Sequence, residues 1–421
     1  MAPSRDKLIW ISTRVPYPPV TGHFLRSYNV LKGLAAQYDV FFFGFFDRGT
    51  SDGAAEQARS ALASFCVEVH AEHVRSERSL AWFAIDFARS VLAWKPFVAV
   101  KYFSPRMDAA IHNVLSRHAV SLIHADSLPS GEYARRRACA KLLTNHNVEF
   151  KRLRSHADLH PSVFMRSFLR WQAYLLLGYE LQLIREIGCC VVVSETDRTT
   201  LATLVPDADY FVVNNGADAS SPPLCARVGG EPTVLSVGGM GDAYNRDAAL
   251  YFYDEILPRV HREIPRLRWR VVGANPPPLL VDAARRAGSH IDLAGFVDDV
   301  RREYEHADIV VVPLRAGGGT KLKVLEAMAA GRAVVTTPVG AEGILARDGI
   351  ELEIATSADE FTARVVALMR DPERRVRLAA AGRALIERAY DWRIVDAQMQ
   401  RAVSASIAAA VSPVAGNGVG H

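Results

Sequence analysis

Three consecutive glycines, Gly317, Gly318 and Gly319, run directly into Thr320 and Lys321, and an acid, Glu326, follows on the same stretch. Glycines leave backbone N–H groups uncovered. The residues after them, Leu322-Lys323-Val324-Leu325-Glu326-Ala327-Met328-Ala329-Ala330-Gly331, predict a helix. The first turn of a helix carries unpaired N–H donors and the positive end of the peptide dipole, so this corner favours phosphate. An ordinary strand-to-helix turn would need one glycine rather than three. Lys321 falls in the first helical turn, where a cation opposes the dipole at a cost of about 1 kcal/mol or less. A diphosphate bound nearby offsets that cost and makes Lys321 a stabiliser of a leaving group; a surface lysine is the competing reading. On a helical wheel Leu322, Val324, Leu325, Met328 and Ala329 form the apolar arc. Glu326 sits at its margin, beside Leu322 and away from Lys323, and the wheel alone favours a solvated glutamate.

The elements that position this corner are legible on both sides of it. Asp308-Ile309-Val310-Val311-Val312-Pro313 predicts a buried strand before it, and Val334-Val335-Thr336-Thr337-Pro338 another after it. Strand, glycine loop, helix and strand make one βαβ unit, with its anion site at the carboxyl edge of a parallel sheet. The same alternation runs through the chain. Strands are expected at 8–12, 40–43, 121–125, 141–144, 190–194 and 210–214, and a helix with Leu25, Tyr28, Leu31, Leu34 and Ala35 on one buried face. After a Pro- and Gly-containing stretch at 215–231, strands follow at 233–239, 269–272 and 291–294, with helices at 248–262, 361–369 and 374–389. The expected organisation is two doubly wound α/β domains, 1–216 and 217–389. A helix near 390–410 returns to the first domain, and a Gly- and Ala-rich tail at 411–421 is expected to be disordered.

Composition bounds the rest. The chain has 421 residues, 49% hydrophobic and 23% charged, as in ordinary globular proteins with two domains. A net charge of +4 is too weak to argue for nucleic acid, yet compatible with an anionic substrate or an acidic membrane surface. Cys66, Cys139, Cys189, Cys190 and Cys225 form no C-x-x-C pair, which fits buried thiols in a reduced, cytoplasmic setting. Leu8-Ile9-Trp10-Ile11 reads as a first strand rather than a secretory signal, and the apolar stretch 80–94 is interrupted by Asp86 and Arg89, so no membrane span is expected. No metal cluster with ligand spacing is visible, and metal-independent chemistry is expected.

Further motifs carry a family resemblance. Pro16-Tyr17-Pro18-Pro19-Val20-Thr21-Gly22 with Arg26-Ser27-Tyr28-Asn29, His146-Asn147-Val148-Glu149, Val193-Ser194-Glu195 and Val213-Asn214-Asn215-Gly216-Ala217-Asp218 lie in the first half. Gly295-Phe296-Val297, Pro313-Leu314, the 317–321 corner, Leu325-Glu326-Ala327-Met328-Ala329-Ala330-Gly331 and Tyr390-Asp391-Trp392 lie in the second. Together they resemble the GT-B glycosyltransferases, specifically the retaining family 4 (group 1) type. The resemblance implies two Rossmann-like domains facing a central cleft, and transfer of a sugar from a nucleotide diphosphate sugar to a saccharide or lipid-linked acceptor. It implies cell-envelope or exopolysaccharide biosynthesis and no cofactor beyond the nucleotide sugar. It makes Glu326 the carboxylate for the donor ribose, Gly317, Gly318, Gly319, Thr320 and Lys321 the phosphate cradle, and His146 a contact to sugar or acceptor. Gly22, with Thr21, approaches the phosphates from the first domain; Gly238 and Arg246 follow the strand that opens the donor domain; Gly295 and Phe296 read the base. The family has two glutamates eight positions apart, and the first of them falls here on Gly318.

Arg135-Arg136-Arg137, Lys151-Arg152, Arg154 and the Trp82 to Trp94 stretch suggest a basic and aromatic first-domain surface. Solvated charge and core aromatics are the default; peripheral docking at the inner membrane face is the alternative. Two other functions stay open on the same scaffold: a sugar-nucleotide epimerase or hydrolase, and a non-catalytic nucleotide-sugar binder, which Gly318 favours.

Overall fold

A computed structural model describes residues 5–20, 22–224 and 229–411. Its contacts divide the chain into two units, one of Met1–Phe150, Trp171–Val213 and Asp396–His421, the other of Lys151–Arg170 and Asn214–Val395. Thr21, Cys225 and the tail expected beyond Val411 lie outside the described residues. The expected division at 216/217 stands against a division at 213/214, with residues 151–170 grouped in the second unit.

In the first unit, apolar runs such as Val40-Phe41-Phe42-Phe43 are buried on both faces, which is what a parallel sheet covered by helices requires. Seven strands form it: β1 (Lys7–Ile11), β2 (Asp39–Phe46), β3 (Glu68–His73), β4 (Val120–Ala125), β5 (Ala140–Asn145), β6 (Cys189–Val192) and β7 (Asp209–Val212). Their order is β3-β2-β1-β4-β5-β6-β7, and every neighbouring pair is parallel. β3 was not expected from the sequence. It reads Glu-Val-His-Ala-Glu-His and is a half-buried edge strand without an apolar run. Two helices of this unit matter below, α1 (Gly22–Ala35) and α2 (Leu80–Leu92).

The second unit has β8 (Thr233–Val237), β9 (Arg268–Val272), β10 (Ile291–Gly295), β11 (Ile309–Val312), β12 (Ala333–Thr336) and β13 (Glu353–Ile354). The order is β10-β9-β8-β11-β12-β13, again parallel throughout. On one face Trp269 packs on Phe252 with ring centroids 4.9 Å apart, and Phe361 closes the cluster. The helix expected at 248–262 begins earlier, as α3 (Ala243–Tyr251). Its N-cap Asp242 accepts the Tyr244 N–H at 2.8 Å. The helix after the glycines is α4 (Leu322–Ala329), so Lys321 is its N-cap and stands outside the first turn. The last helix, α5, runs Trp392–Val411.

Both sheets are doubly wound, as the alternating pattern predicted. In each, the chain leaves one strand and returns on the other side of it, between β1 and β4 and between β8 and β11. Ligands of open α/β sheets bind outside the carboxyl ends of the strands at such switch points. The four free cysteines that are described, Cys66, Cys139, Cys189 and Cys190, form no disulfide, and burial pushes the Cys66 thiol up to about 12.

Candidate functional site

In the second unit the β8/β11 switch point brings Gly238, after β8, close to the loop after β11 that carries the glycine corner. Gly317 has φ +134° and Gly319 φ +67°, left-handed values that a side chain would strain, whereas Gly318 has no such need. Among the described residues no acceptor meets the N–H of Gly318 or Gly319, while the Gly317 N–H reaches Ser155 Oγ at 3.4 Å. The corner is fixed from behind through Thr320, which is buried. Its carbonyl accepts the Asn215 amide at 3.2 Å, and its hydroxyl donates to the Gly343 carbonyl at 3.5 Å.

Two cations converge on this corner. The Lys321 ammonium donates to the Gly319 carbonyl and lies 3.5 Å from the Glu342 carboxylate, with only 10% of the side chain exposed. The second, Lys323, donates to Asn245 Oδ1 at 2.6 Å. It lines a small cavity with Gly238, Asn245, Pro313 and Leu314. Gly238 has φ +151°, which a side chain would strain, and a Cβ there would also meet Lys323 Nζ at 2.5 Å and the Asn245 amide at 3.0 Å. The sequence placed Lys323 away from Glu326. Residues three apart on a helix are neighbours, and the two side chains sense each other. Burial pushes Lys323 down to about 8, with Asp242 and Glu326 opposing the shift. Burial pushes the Glu326 carboxyl up to about 7, with Lys323 opposing it. The solvated glutamate that the wheel favoured is therefore replaced by a half-buried carboxyl beside a half-buried ammonium.

The remaining second-unit residues sit on the same sheet. Arg246 is exposed on α3, and its neighbour Asn245 is the one that reaches the lysine. Gly295 ends β10 with φ +70°, and its carbonyl accepts the Gly273 N–H at 2.7 Å. Phe296 beside it is 61% exposed, so its ring is a surface group and not core packing.

The first unit builds its own cluster at the β1/β4 switch point. His146 follows β5, and its Nε2 lies 2.6 Å from the Asp126 carbonyl and 3.3 Å from Asp126 Oδ1. Asp126 follows β4 and accepts the Ser27 hydroxyl at 2.6 Å. Gly22 starts α1, and His23 after it sets its ring edge-on to His146, centroids 4.6 Å apart. Buried Arg26, from the same helix turn, donates to the Val213 carbonyl at 2.9 Å. Glu180 holds the segment after β5 by accepting the Asn145 amide at 2.8 Å and the N–H groups of Glu149 and Phe150 at 3.1 Å. Burial pushes His23 down to about 3 and Arg26 down to about 10. Burial alone would raise Asp126, but the His146 imidazole beside it holds the carboxyl below its ordinary value.

His23, Asp126 and His146 offer ligand atoms within 4.8 Å of one another, a spacing that a metal ion could bridge. The expectation that no such cluster exists missed this group because its members are far apart in sequence. Sequence reasoning also missed Lys323, Asn245 and Asp126 as site residues. The signal for Asp126 was available, since it is the acid immediately after a strand that ends at the switch point.

Residues 231–371 match the family model described as Glycosyl transferases group 1. The chain carries a group 1 glycosyltransferase domain. That domain contains the glycine corner, both lysines and Glu326. Over 210 residues, 46% of this chain and 53% of the relative, the chain is 30% identical to a phosphatidyl-myo-inositol mannosyltransferase of Mycobacterium tuberculosis. A protein of that name from Mycolicibacterium smegmatis is 28% identical over 202 residues, 46% of this chain and 51% of the relative. The chain thus spans about half the length of the curated relatives it matches. A sucrose-phosphate synthase from Thermosynechococcus elongatus superimposes with a TM-score of 0.71 at 16% identity, over 96% of this chain and all of the other. The Anabaena protein HepE, solved with UDP and glucose, gives 0.63 at 14% identity, over 95% of this chain and all of the other. The group 1 domain therefore stands within a GT-B fold of two Rossmann-like units.

Proposed function

We propose that the chain moves a sugar from a nucleotide diphosphate sugar to a hydroxyl of a saccharide or lipid-linked acceptor, with retention at the anomeric carbon. The observation that carries this reading is the convergence of Lys321, Lys323, the open Gly318 and Gly319 N–H groups and Glu326 at one sheet edge. Donors and ammonium groups suit a diphosphate leaving group; a carboxylate a turn and a half along the helix suits the two hydroxyls of the attached ribose. The named mannosyltransferase relatives and the UDP held by HepE support the donor class. The relatives' lipid in their name supports a lipid-linked acceptor and cell-envelope or exopolysaccharide synthesis. His146, held by Asp126, would contact the sugar or acceptor. The two lysines neutralise the leaving group, so the proposed chemistry takes no metal, and turnover should be unchanged by a chelator. The protein would work in the cytoplasm, with peripheral contact at the inner membrane face to reach a lipid-linked acceptor. Among the described residues, no helix is long and apolar enough to cross a membrane.

Incubation with UDP- and GDP-sugars tests the reading. With acceptor present, proton NMR should show a new glycoside of the donor's anomeric configuration. Donor alone should persist; rapid epimerisation or free sugar would favour the epimerase or hydrolase. Gly318, where the family has its first glutamate, favours a binder without turnover, and a thermal shift with nucleotide sugars but no product over a broad acceptor panel would support that instead.

The pH dependence of donor binding follows from the same pair. Glu326 accepts hydroxyls best when ionised, and Lys323 holds phosphate best when protonated. With Glu326 near 7 and Lys323 near 8, donor affinity measured by calorimetry should rise through about 7 and fall through about 8. A flat profile from 6 to 9 would separate these two groups from donor binding.

A further inference from the structure

Helix α2 is built inside out. An amphipathic helix on a globular protein turns its apolar stripe to the core and its charges to water. In α2 the only fully buried residues are polar, Asp86 and Ser90. Asp86 accepts Arg75 at 2.8 Å, and the Ser90 hydroxyl donates to the Lys95 carbonyl at 2.7 Å. Leu80 is 87% exposed and Leu92 84%, with Trp82, Phe83, Ile85, Val91 and the following Trp94 also exposed. The default of core aromatics for this stretch does not hold.

Basic residues frame that apolar face. Arg75 stacks on the Trp82 ring at 4.7 Å, and Arg89 stands on the helix itself. At the start of α2 a cavity of about 560 Å³ has Arg14, Arg48, Arg78 and Lys101 around it and Leu80 and Phe83 on the helix side. Two acids also line the cavity: Asp47 pairs with Arg14 at 2.8 Å, and Glu77 pairs with Lys101 at 2.5 Å and accepts the Arg48 backbone N–H at 2.9 Å. Among the described residues no acidic side chain pairs with the guanidinium of Arg48 or Arg78, and both are exposed. An apolar helix face next to a basic hollow matches one partner well: a bilayer surface with acyl chains below and phosphate above.

We propose that α2 lies in the interface of an anionic bilayer, with a lipid headgroup phosphate held in the adjoining cavity by Arg48 and Arg78. This deepens the membrane contact proposed above, but it stands on the first unit alone and needs no donor. Sedimentation of the full chain with vesicles tests it. Vesicles of phosphatidylcholine with about one third phosphatidylglycerol, at about 0.1 M salt, are compared with phosphatidylcholine alone. The chain should pellet with the anionic vesicles and be released as salt rises. The Leu80→Glu/Leu92→Glu pair should lower the bound fraction about tenfold, and Arg48→Glu/Arg78→Glu should remove the preference for anionic lipid. Both pairs replace exposed residues, so circular dichroism and the thermal shift with UDP should match wild type. Wild type left in the supernatant, or the leucine variant pelleting like wild type, would overturn the proposal. So would a dimer of the wild type that this variant converts to monomers without any vesicle binding, because the face would then belong to a second copy. Loss of the UDP shift in wild type would instead count against the transferase reading and leave this one standing.

Discussion

Glu326→Ala should bind the donor nucleotide about 10²–10⁴-fold more weakly than wild type, with the fold intact. A charge-assisted hydrogen bond contributes about 1.5–3 kcal/mol, and the ribose offers two hydroxyls to one carboxylate, so removing it removes roughly 3–6 kcal/mol. Calorimetric titration with UDP and GDP reads this directly; affinity within threefold of wild type would take Glu326 out of the ribose site. The empty protein supplies an independent reading of the same residue. Burial holds the folded Glu326 carboxyl at about 7 against an ordinary 4.5. The folded state therefore keeps a proton that the unfolded chain gives up, and this contribution to stability is lost as pH rises from 4.5 to about 7. Above that window the fold carries an ionised carboxylate withdrawn from water. Glu326→Gln should raise the melting temperature at pH 8 and leave it nearly unchanged at pH 4, while still weakening donor binding.

Lys321→Met should lower kcat by about 10²–10³ with a much smaller change in KM. A preorganised donor aimed at the charge that develops in a transition state is worth about 2.7–4 kcal/mol, and in the proposed reaction that charge develops on the departing diphosphate. The ammonium stands at the glycine corner, held by the Gly319 carbonyl and 3.5 Å from Glu342. Steady-state kinetics at saturating acceptor separate the two parameters. A kcat within a few-fold of wild type would leave Lys321 a structural partner of Gly319 and Glu342 and take it out of the chemistry.

The fold was legible because parallel sheets buried on both faces need continuous apolar strands. Val40-Phe41-Phe42-Phe43 and Ile309-Val310-Val311-Val312 announce themselves in this way. β3 escaped because an edge strand is only half-buried and its Glu-Val-His-Ala-Glu-His carries no run to recognise. α2 was read as broken by Asp86 and Arg89, which is right for a membrane span. Nothing in the pattern says that Asp86 faces inward, because Arg75, outside the helix, decides that.

The candidate site divides along the same line. The 317–321 corner was visible because glycine repeats and a helix start are local signals, whereas Glu326 came with the family resemblance, the wheel alone favouring a solvated glutamate. The His23, Asp126 and His146 group was not, because the order of β1, β4 and β5 in the sheet brings it together. The wheel places Lys323 away from Glu326 and gives it no part in the site. Its role depends on Gly238 and Asn245, a distant stretch of chain that leaves room for the ammonium and then fixes it at 2.6 Å.

The most direct measurement is a crystal structure of the chain soaked with UDP or GDP. The diphosphate should rest on the N–H groups of Gly318 and Gly319 with the Lys321 and Lys323 ammonium groups against its oxygens, and both ribose hydroxyls should donate to the Glu326 carboxylate. A nucleotide bound elsewhere, with that corner vacant, would contradict the account.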